Sequence, residues 1–201
     1  MPTYRTISQP LRHEPAKIKG SRFIASVLPV NSSEEAGILI AARREEFRDA
    51  THNCWAWRVG LDRDGQRYSD DGEPSGTAGR PILQEIDGRR LTDVLVVVTR
   101  YFGGTKLGTG GLVRAYGGAA GEALDLATVV EVPIVEVLRI TYPYDVTGAV
   151  EGVLHAYGVR ARKTEYGKVV CKHVAVPVEE TRRFEQALAD VTSGQADVRK
   201  V

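Results

Sequence analysis

The stretch DVLVVVTRYFGGTKLGTGGLVRAY, Asp93 to Tyr116, decides the centre of the fold. Val94 to Val98 is an uninterrupted apolar run, as expected of a strand covered on both faces, and Thr99 and Arg100 emerge from its end. Glycine then dominates: Gly103, Gly104, Gly108, Gly110 and Gly111 fall in the connection, where glycine permits positive φ and close backbone approach to a ligand. Thr109 is a suitable N-cap for a helix from about Gly110, with Leu112, Ala115, Ala119 and Ala123 on one face. Gly117, Gly118 and Gly121 lie inside that helix, at roughly 1 kcal/mol each relative to alanine. A small-residue face lying close on the sheet would offset that penalty. The order is therefore strand, glycine loop, helix.

Upstream, FIASVL (Phe23 to Leu28) alternates as a strand, within extended segments punctuated by Pro10, Pro15, Gly20 and Pro29. Asn31, Ser32 or Ser33 caps a helix whose first turn holds Glu34 and Glu35 and whose apolar stripe is Ile38, Leu39, Ala42 and Phe47. THNCWAWRVGL (Thr51 to Leu61) reads as a strand, turning at Asp62 to Gly65 into a short partner at Gln66 to Ser69. DDGEPSGTAGRP (Asp70 to Pro81) is a loop leading into a short helix near Pro81 to Ile86. Beyond Val130 the texture resets. A strand in EVPIVEVLRITYPYD, a helix from Thr147 to Tyr157, two strands turning at Tyr166-Gly167, an amphipathic helix with Phe184, Leu188 and Val191 inward, and a short closing strand give the order βαββαβ. That order predicts a four-stranded antiparallel sheet with two helices on one face. The fold class is α+β in two domains, residues 1–133 and 134–201.

With 201 residues, 42% of them hydrophobic, the chain is long enough to bury a core. Charge is nearly balanced, 27 basic against 26 acidic residues, and each half is balanced too, so any polyanion site is a local patch. Two cysteines, Cys54 and Cys171, are too few for a disulfide framework or a zinc cluster; with no arginine-led apolar leader at Met1, a reduced cytoplasm is the expected setting. The longest apolar runs fall far short of the ~20 residues that span a bilayer, so no membrane is expected.

Arg100, Lys106 and Arg114 share an acid-free stretch beside a helix start, and cations with exposed N–H groups there make a receptor for anions. It is not a P-loop, because Lys106 stands between Thr105 and Leu107; nor a dinucleotide fingerprint, because Val113 occupies the position of the third glycine. Asp71, Glu73, Ser75 and Thr77 lie in a turn that lacks the EF-hand pattern; its acids either orient neighbouring backbone and pair with arginine, or hold Mg²⁺. His52 and Cys54 share a strand face but sit ~7 Å apart with nothing to aim them together, so His52 is a ligand-contacting or hydrogen-bonded residue and Cys54 a core residue. Trp55 and Trp57 point the other way. A second patch gathers Arg160, Arg162, Lys163, Lys168 and Lys172 around Tyr166, suited to RNA or to guarding an exposed strand edge.

DATHNCWAW (Asp49 to Trp57), SDDGEPSGTAGRPIL (Ser69 to Leu83) and VVTRYFGGTKLGTGGLVRAY (Val97 to Tyr116) together resemble the YigZ/IMPACT family over nearly the full length. The resemblance implies an N-terminal fold similar to domain IV of elongation factor G and a ferredoxin-like C-terminal domain similar to that factor's domain V, both pointing toward RNA or ribosomes. Eukaryotic members regulate translation by competing for the activator of the amino-acid-starvation kinase, a pathway bacteria lack. The expectation is a translation-linked regulatory protein without a cofactor, binding RNA, a ribosome or an acidic protein surface through the Arg100 to Arg114 loop. No catalytic residue or metal site is assigned. Two alternatives stand: a hydrolase or transferase on a small phosphorylated substrate, with His52, Asp71 or Glu73 as acid-base groups, and a protein-protein regulator without nucleic acid. Oligomeric state is open.

Overall fold

The computed structural model describes residues 2–62 and 64–201, and the chain divides into two units, Tyr4–Val132 and Pro133–Val201, with Pro2 and Thr3 grouped with the second. The first contains, in order, β1 (Thr3–Ile7), β2 (Leu11–His13), β3 (Arg22–Pro29), α1 (Ser33–Glu46), β4 (His52–Arg58), β5 (Gln66–Ser69), α2 (Gly79–Gly88), β6 (Val94–Tyr101), α3 (Thr109–Leu126) and β7 (Val129–Pro133). β2, β3, β6, β4 and β5 form one antiparallel sheet in that spatial order, and β1 pairs with β7.

The apolar run sits in β6, the central strand, and alternation divides it between two cores. Val94, Val96 and Val98 pack with Phe23, Ala25, Val27, Cys54 and Ala56 under α2 and α3; Leu95 and Val97 pack with Leu28, Trp57, Ala36 and Ile40 under α1. Both faces are covered, which is why the run carries no polar break. The β4–β5 hairpin forms as expected, closed by Val59 N–H donating to Gly65 O at 2.8 Å; Arg63, within the expected turn, lies outside the described residues.

Three local expectations need correction. The Ser32 side chain caps α1, but the buried residues are Ala36 and Ile40, and Ile38 is 70% exposed. Ile38 lies roughly 200° round the helix from Ala36, so the expected stripe was rotated off the face that meets the sheet. α3 starts at Thr109 behind Gly108, whose φ of 73° no β-carbon would favour, and no side chain caps it. Gly117 and Gly121 face α2 rather than the sheet: a β-carbon on Gly121 would stand 2.9 Å from Glu85 Oε2, and Arg89 Nη2 donates to the Gly121 carbonyl. The alanines Ala115, Ala119, Ala120 and Ala123 are buried in the core that α3 shares with the sheet and α2.

The second unit runs β8 (Val135–Tyr142), a single 3-10 turn, α4 (Thr147–Ala156), β9 (Ala161–Tyr166), β10 (Val170–Pro177), α5 (Thr181–Val191) and β11 (Asp197–Lys200). This is the expected βαββαβ order, and its antiparallel sheet is ordered β11-β8-β10-β9. Leu138, Ile140, Val170, Val174 and Val176 face Val150, Leu154, Phe184 and Leu188 of the two helices. Val191 is exposed, past the end of that contact, and the single strand expected through Pro133 is two strands, β7 and β8. Among the described residues no helix is long and apolar enough to cross a membrane.

Candidate functional site

Sheet register assembles the site. Arg100, near the end of β6, stands opposite Phe23 of β3 on one side and His52 of β4 on the other. The Asp70–Gly79 turn is folded over that edge by one carboxylate: Asp70 Oδ1 accepts from Ala78 and Gly79 N–H at 2.9 Å each, and Oδ2 from Gly76 N–H at 2.8 Å. Asp70 thereby satisfies the start of α2, whose N-cap residue, Ala78, has no capping side chain. The turn delivers Glu73 inward.

Glu73 and Arg100 are 9% and 5% exposed, and Arg100 Nη1 donates to Glu73 Oε1 at 2.6 Å. Tyr116 of α3 donates its hydroxyl to the same oxygen at 2.7 Å, and Arg100 Nη2 reaches Ser21 Oγ at 3.3 Å. The guanidinium carbon stands over the Phe23 and Phe102 rings, 5.7 and 5.5 Å from their centroids. Arg100 is therefore not an open cation. A strand end within the core, covered by a carboxylate-bearing turn, has turned it into half of a buried ion pair.

His52 Nδ1 lies 2.7 Å from the Asp71 carbonyl, which can only accept, so Nδ1 carries the proton and Nε2 faces Glu73 Oε2 at 3.9 Å. Asp71 itself accepts from Asn53 N–H and from Arg44. Thr77 Oγ1 donates to the Pro74 carbonyl, whereas Ser75 is exposed on the turn. The acids thus orient backbone and pair with arginine; among the described residues no group of three His, Cys, Asp or Glu is placed to hold a metal ion. Cys54 Sγ donates to the Asp70 carbonyl at 3.0 Å, and burial, reinforced by the nearby Glu73 and Asp71 charges, pushes its thiol up to about 12. A thiol held protonated that far above neutrality is no nucleophile. Burial likewise raises the Tyr116 phenol above its ordinary range.

Beside this cluster opens a cleft of about 350 Å³ lined by Glu73, Pro74, Arg100, Phe102, Lys106 and Leu107, and closed by the start of α3 at Gly108, Thr109 and Leu112. Its walls are apolar, with charge at the floor and on the rim. Lys106 is exposed, and among the described residues it makes no ion pair; Phe102 is 48% exposed. Leu112 N–H closes the first helical turn onto Gly108, leaving the N–H groups of Thr109, Gly110 and Gly111 without helical acceptors. The loop glycines divide by role. A β-carbon on Gly103 would stand 1.9 Å from the Gly20 carbonyl carbon, so Gly103 serves backbone packing; Gly104 has open space around it, and a β-carbon on Gly110 would meet only Arg114 Nη1, at 3.6 Å. Arg114 is exposed and makes no ion pair among the described residues, but it lines a separate depression between α2 and α3, with Pro81, Glu85 and Gly118. The three cations of the loop are therefore dispersed: one buried, one on the cleft rim, one on a helix flank.

The sequence reasoning missed Asp70, Tyr116 and Phe102. Tyr116 lies one helical turn beyond Leu112 on the inward face, which was a usable signal; nothing local marks Asp70 as the organiser of its turn.

The residues of the second patch also separate. Lys172 is buried and tied to Glu151, because its strand alternation points it toward the helices; Lys163 pairs with Glu165 at 2.6 Å. Arg162 sits where the β9–β10 register skips a residue, and Arg160, Tyr166 and Lys168 are exposed at the edge and tip of the hairpin.

Residues 19–124 match the Impact N-terminal domain, and residues 140–195 match a domain of unknown function, DUF1949. The chain belongs to the IMPACT family. It is 37% identical over 198 residues to the IMPACT family member YvyE of Bacillus subtilis, covering 98% of this chain and 91% of that protein. It is 38% identical to the IMPACT family member YigZ of Escherichia coli over 181 residues, 89% of this chain and 88% of that one. A crystal structure of a hypothetical protein superposes with a TM-score of 0.81 at 32% identity, covering 100% and 98% of the two chains. The family and the two-domain α+β fold implied by the sequence are thereby established.

Proposed function

We propose that this protein is a translation-linked regulator that binds RNA, on or off the ribosome, through the rim of the Phe102–Lys106–Thr109 cleft. The supporting observation is Lys106: an exposed cation with no carboxylate partner among the described residues, beside a helix start that offers uncapped N–H groups. Phosphate oxygens complement both groups, and the exposed face of Phe102 is a platform on which a base can stack. Glu73 neutralises Arg100, so the attraction falls on Lys106, the amides and, farther along α3, Arg114. Cytoplasmic location and action without a cofactor belong to the same proposal.

Co-sedimentation with ribosomes across a salt series tests it. Lys106→Glu should weaken association more than Arg114→Glu, and both should leave the fold intact. Equal sedimentation of all three proteins would remove the rim as the site.

One observation favours a hydrolase or transferase acting on a small phosphorylated substrate: the cleft volume, with the Glu73 carboxylate in its lining. His52 is not among the lining residues, so the acid-base pair this chemistry needs is not gathered there. Saturable release of phosphate from nucleotides, lost in Glu73→Gln, would favour catalysis. An acidic protein partner predicts association that survives nuclease treatment.

A further inference from the structure

The second unit buries one face of its sheet and leaves the other open, and register sets what the open face displays. Leu138 and Ile140 of β8, and Lys172 and Val174 of β10, point to the helices; their neighbours Arg139 and His173 therefore point away. Arg139 is opposite His173, His173 is opposite Lys163 of β9, and Arg199 of β11 is opposite Arg139. Four residues from four strands, up to 60 positions apart in the chain (Arg139 to Arg199), thus form one row across the sheet: Arg199, Arg139, His173, Lys163. At the usual strand separation the row is on the order of 14 Å long, within reach of a few consecutive phosphates.

The charges on this row are available. Arg139 is exposed and makes no ion pair among the described residues. Among the described residues Arg199 and Lys163 pair with Asp197 and Glu165, two residues along their own strands; all four side chains are more than half exposed, and such solvated pairs yield readily to a phosphate. Like charges directly opposite one another across a ladder oppose sheet formation, so the Arg199–Arg139 pairing is a local disadvantage that an anionic partner would relieve. The flanking open-face positions of β8 and β10, Val137, Thr141, Cys171 and Ala175, are small and none is aromatic, so the row contacts backbone rather than bases; Asp197 and Glu165, opposite Thr141 and Cys171, are the acids on the same face.

We infer that the open face of the β11-β8-β10-β9 sheet is a second contact surface for single-stranded RNA, reading phosphates along the Arg199–Arg139–His173–Lys163 row. It rests on the RNA reading proposed for the first unit, but its residues and its failure are separate. It also relocates the second patch: Arg139, His173 and Arg199 replace Lys172, which is buried.

The test is binding of a fluorescent uridine dodecamer to the full chain from 50 to 200 mM salt. Each phosphate contact contributes about 0.7 to the slope of log affinity against log salt, so Arg139→Ala, Lys163→Ala, Arg199→Ala combined should flatten the slope by about 2. Arg139→Lys should restore its share. Asp197→Asn with Glu165→Gln, which removes the competing acids, should tighten binding, an effect no purely structural role predicts. If the triple variant keeps the wild-type slope while Lys106→Glu loses binding, this inference falls and the loop proposal stands. If Lys106→Glu is neutral and the triple variant loses slope, the loop proposal falls and this one stands. Binding of polyglutamate in preference to the dodecamer, abolished by the triple variant, would assign the row to acidic protein and overturn it.

Discussion

Replacing Glu73 by alanine should be among the most damaging single changes in the first unit. Arg100 is 95% buried by the measure of its 5% exposure, and its Nε already has no hydrogen-bond partner. Removal of the carboxylate takes away the acceptor at 2.6 Å and leaves Ser21 Oγ, at 3.3 Å, as the remaining hydrogen-bond partner of the guanidinium among the described residues. Breaking a buried ion pair from one side costs about 3–5 kcal/mol, and Tyr116 loses its acceptor as well, for about 1 kcal/mol more. The expected loss is therefore about 4–6 kcal/mol. Glu73→Gln, which keeps an acceptor oxygen, should lose about half as much. Glu73→Leu with Arg100→Met should be less destabilised than Glu73→Ala, since no buried charge is left behind. Urea unfolding followed by tryptophan fluorescence is the assay: both tryptophans, Trp55 and Trp57, lie in β4, so the signal reports this unit alone. A Glu73→Ala loss below about 1 kcal/mol, or a double variant worse than the single, would refute the buried-pair account.

Three further outcomes follow from the same geometry. Gly103→Ala places a β-carbon 1.9 Å from Gly20 backbone and should destabilise the first unit by more than about 2 kcal/mol, whereas Gly118→Ala, with open space, should be neutral or slightly stabilising in the same assay. Asp70→Ala strands three backbone N–H donors and should cost about 2–4 kcal/mol, with protease cleavage appearing within residues 70–79 of the native protein. Because the folded state holds the Cys54 thiol and the Tyr116 phenol protonated above their unfolded values, stability is complete below about pH 9, where the unfolded thiol begins to ionise, and falls at higher pH; the Cys54 part is lost as pH rises toward about 12, and the Tyr116 phenol, raised in the same direction by burial, adds to the loss above the ordinary phenol range. Urea midpoints at pH 8 and 10.5 should fall, and fall less in Cys54→Ala; iodoacetamide at pH 8 should label Cys171 and spare Cys54 in the native protein.

Elements were legible where periodicity and composition agree. Val94 to Val98 declared a strand covered on both faces, and the βαββαβ order declared the second sheet. What failed were statements about which way a side chain points at an element's edge. The apolar stripe of α1 was only approximate, with Gly37 beside it, so Ile38 was placed inward although it is exposed and Ala36 and Ile40 are buried. Arg100 read as an open cation because the sequence shows no acid near it; Glu73 reaches it from 27 positions away, across a turn whose closure by Asp70 is a long-range event. Lys172 looked basic and exposed until strand register set it facing the helices, and the same register aligned Arg139 with Arg199, which no local pattern could do. Pairing across strands is absent from linear spacing.

The RNA-binding rim is tested most directly by placing a photoreactive phenylalanine at position 102, on the mouth of the cleft, and irradiating growing cells. Covalent attachment of RNA at that position, lost when Lys106→Glu is added, is the predicted result. Recovery of protein adducts alone, insensitive to Lys106→Glu, would contradict the central claim.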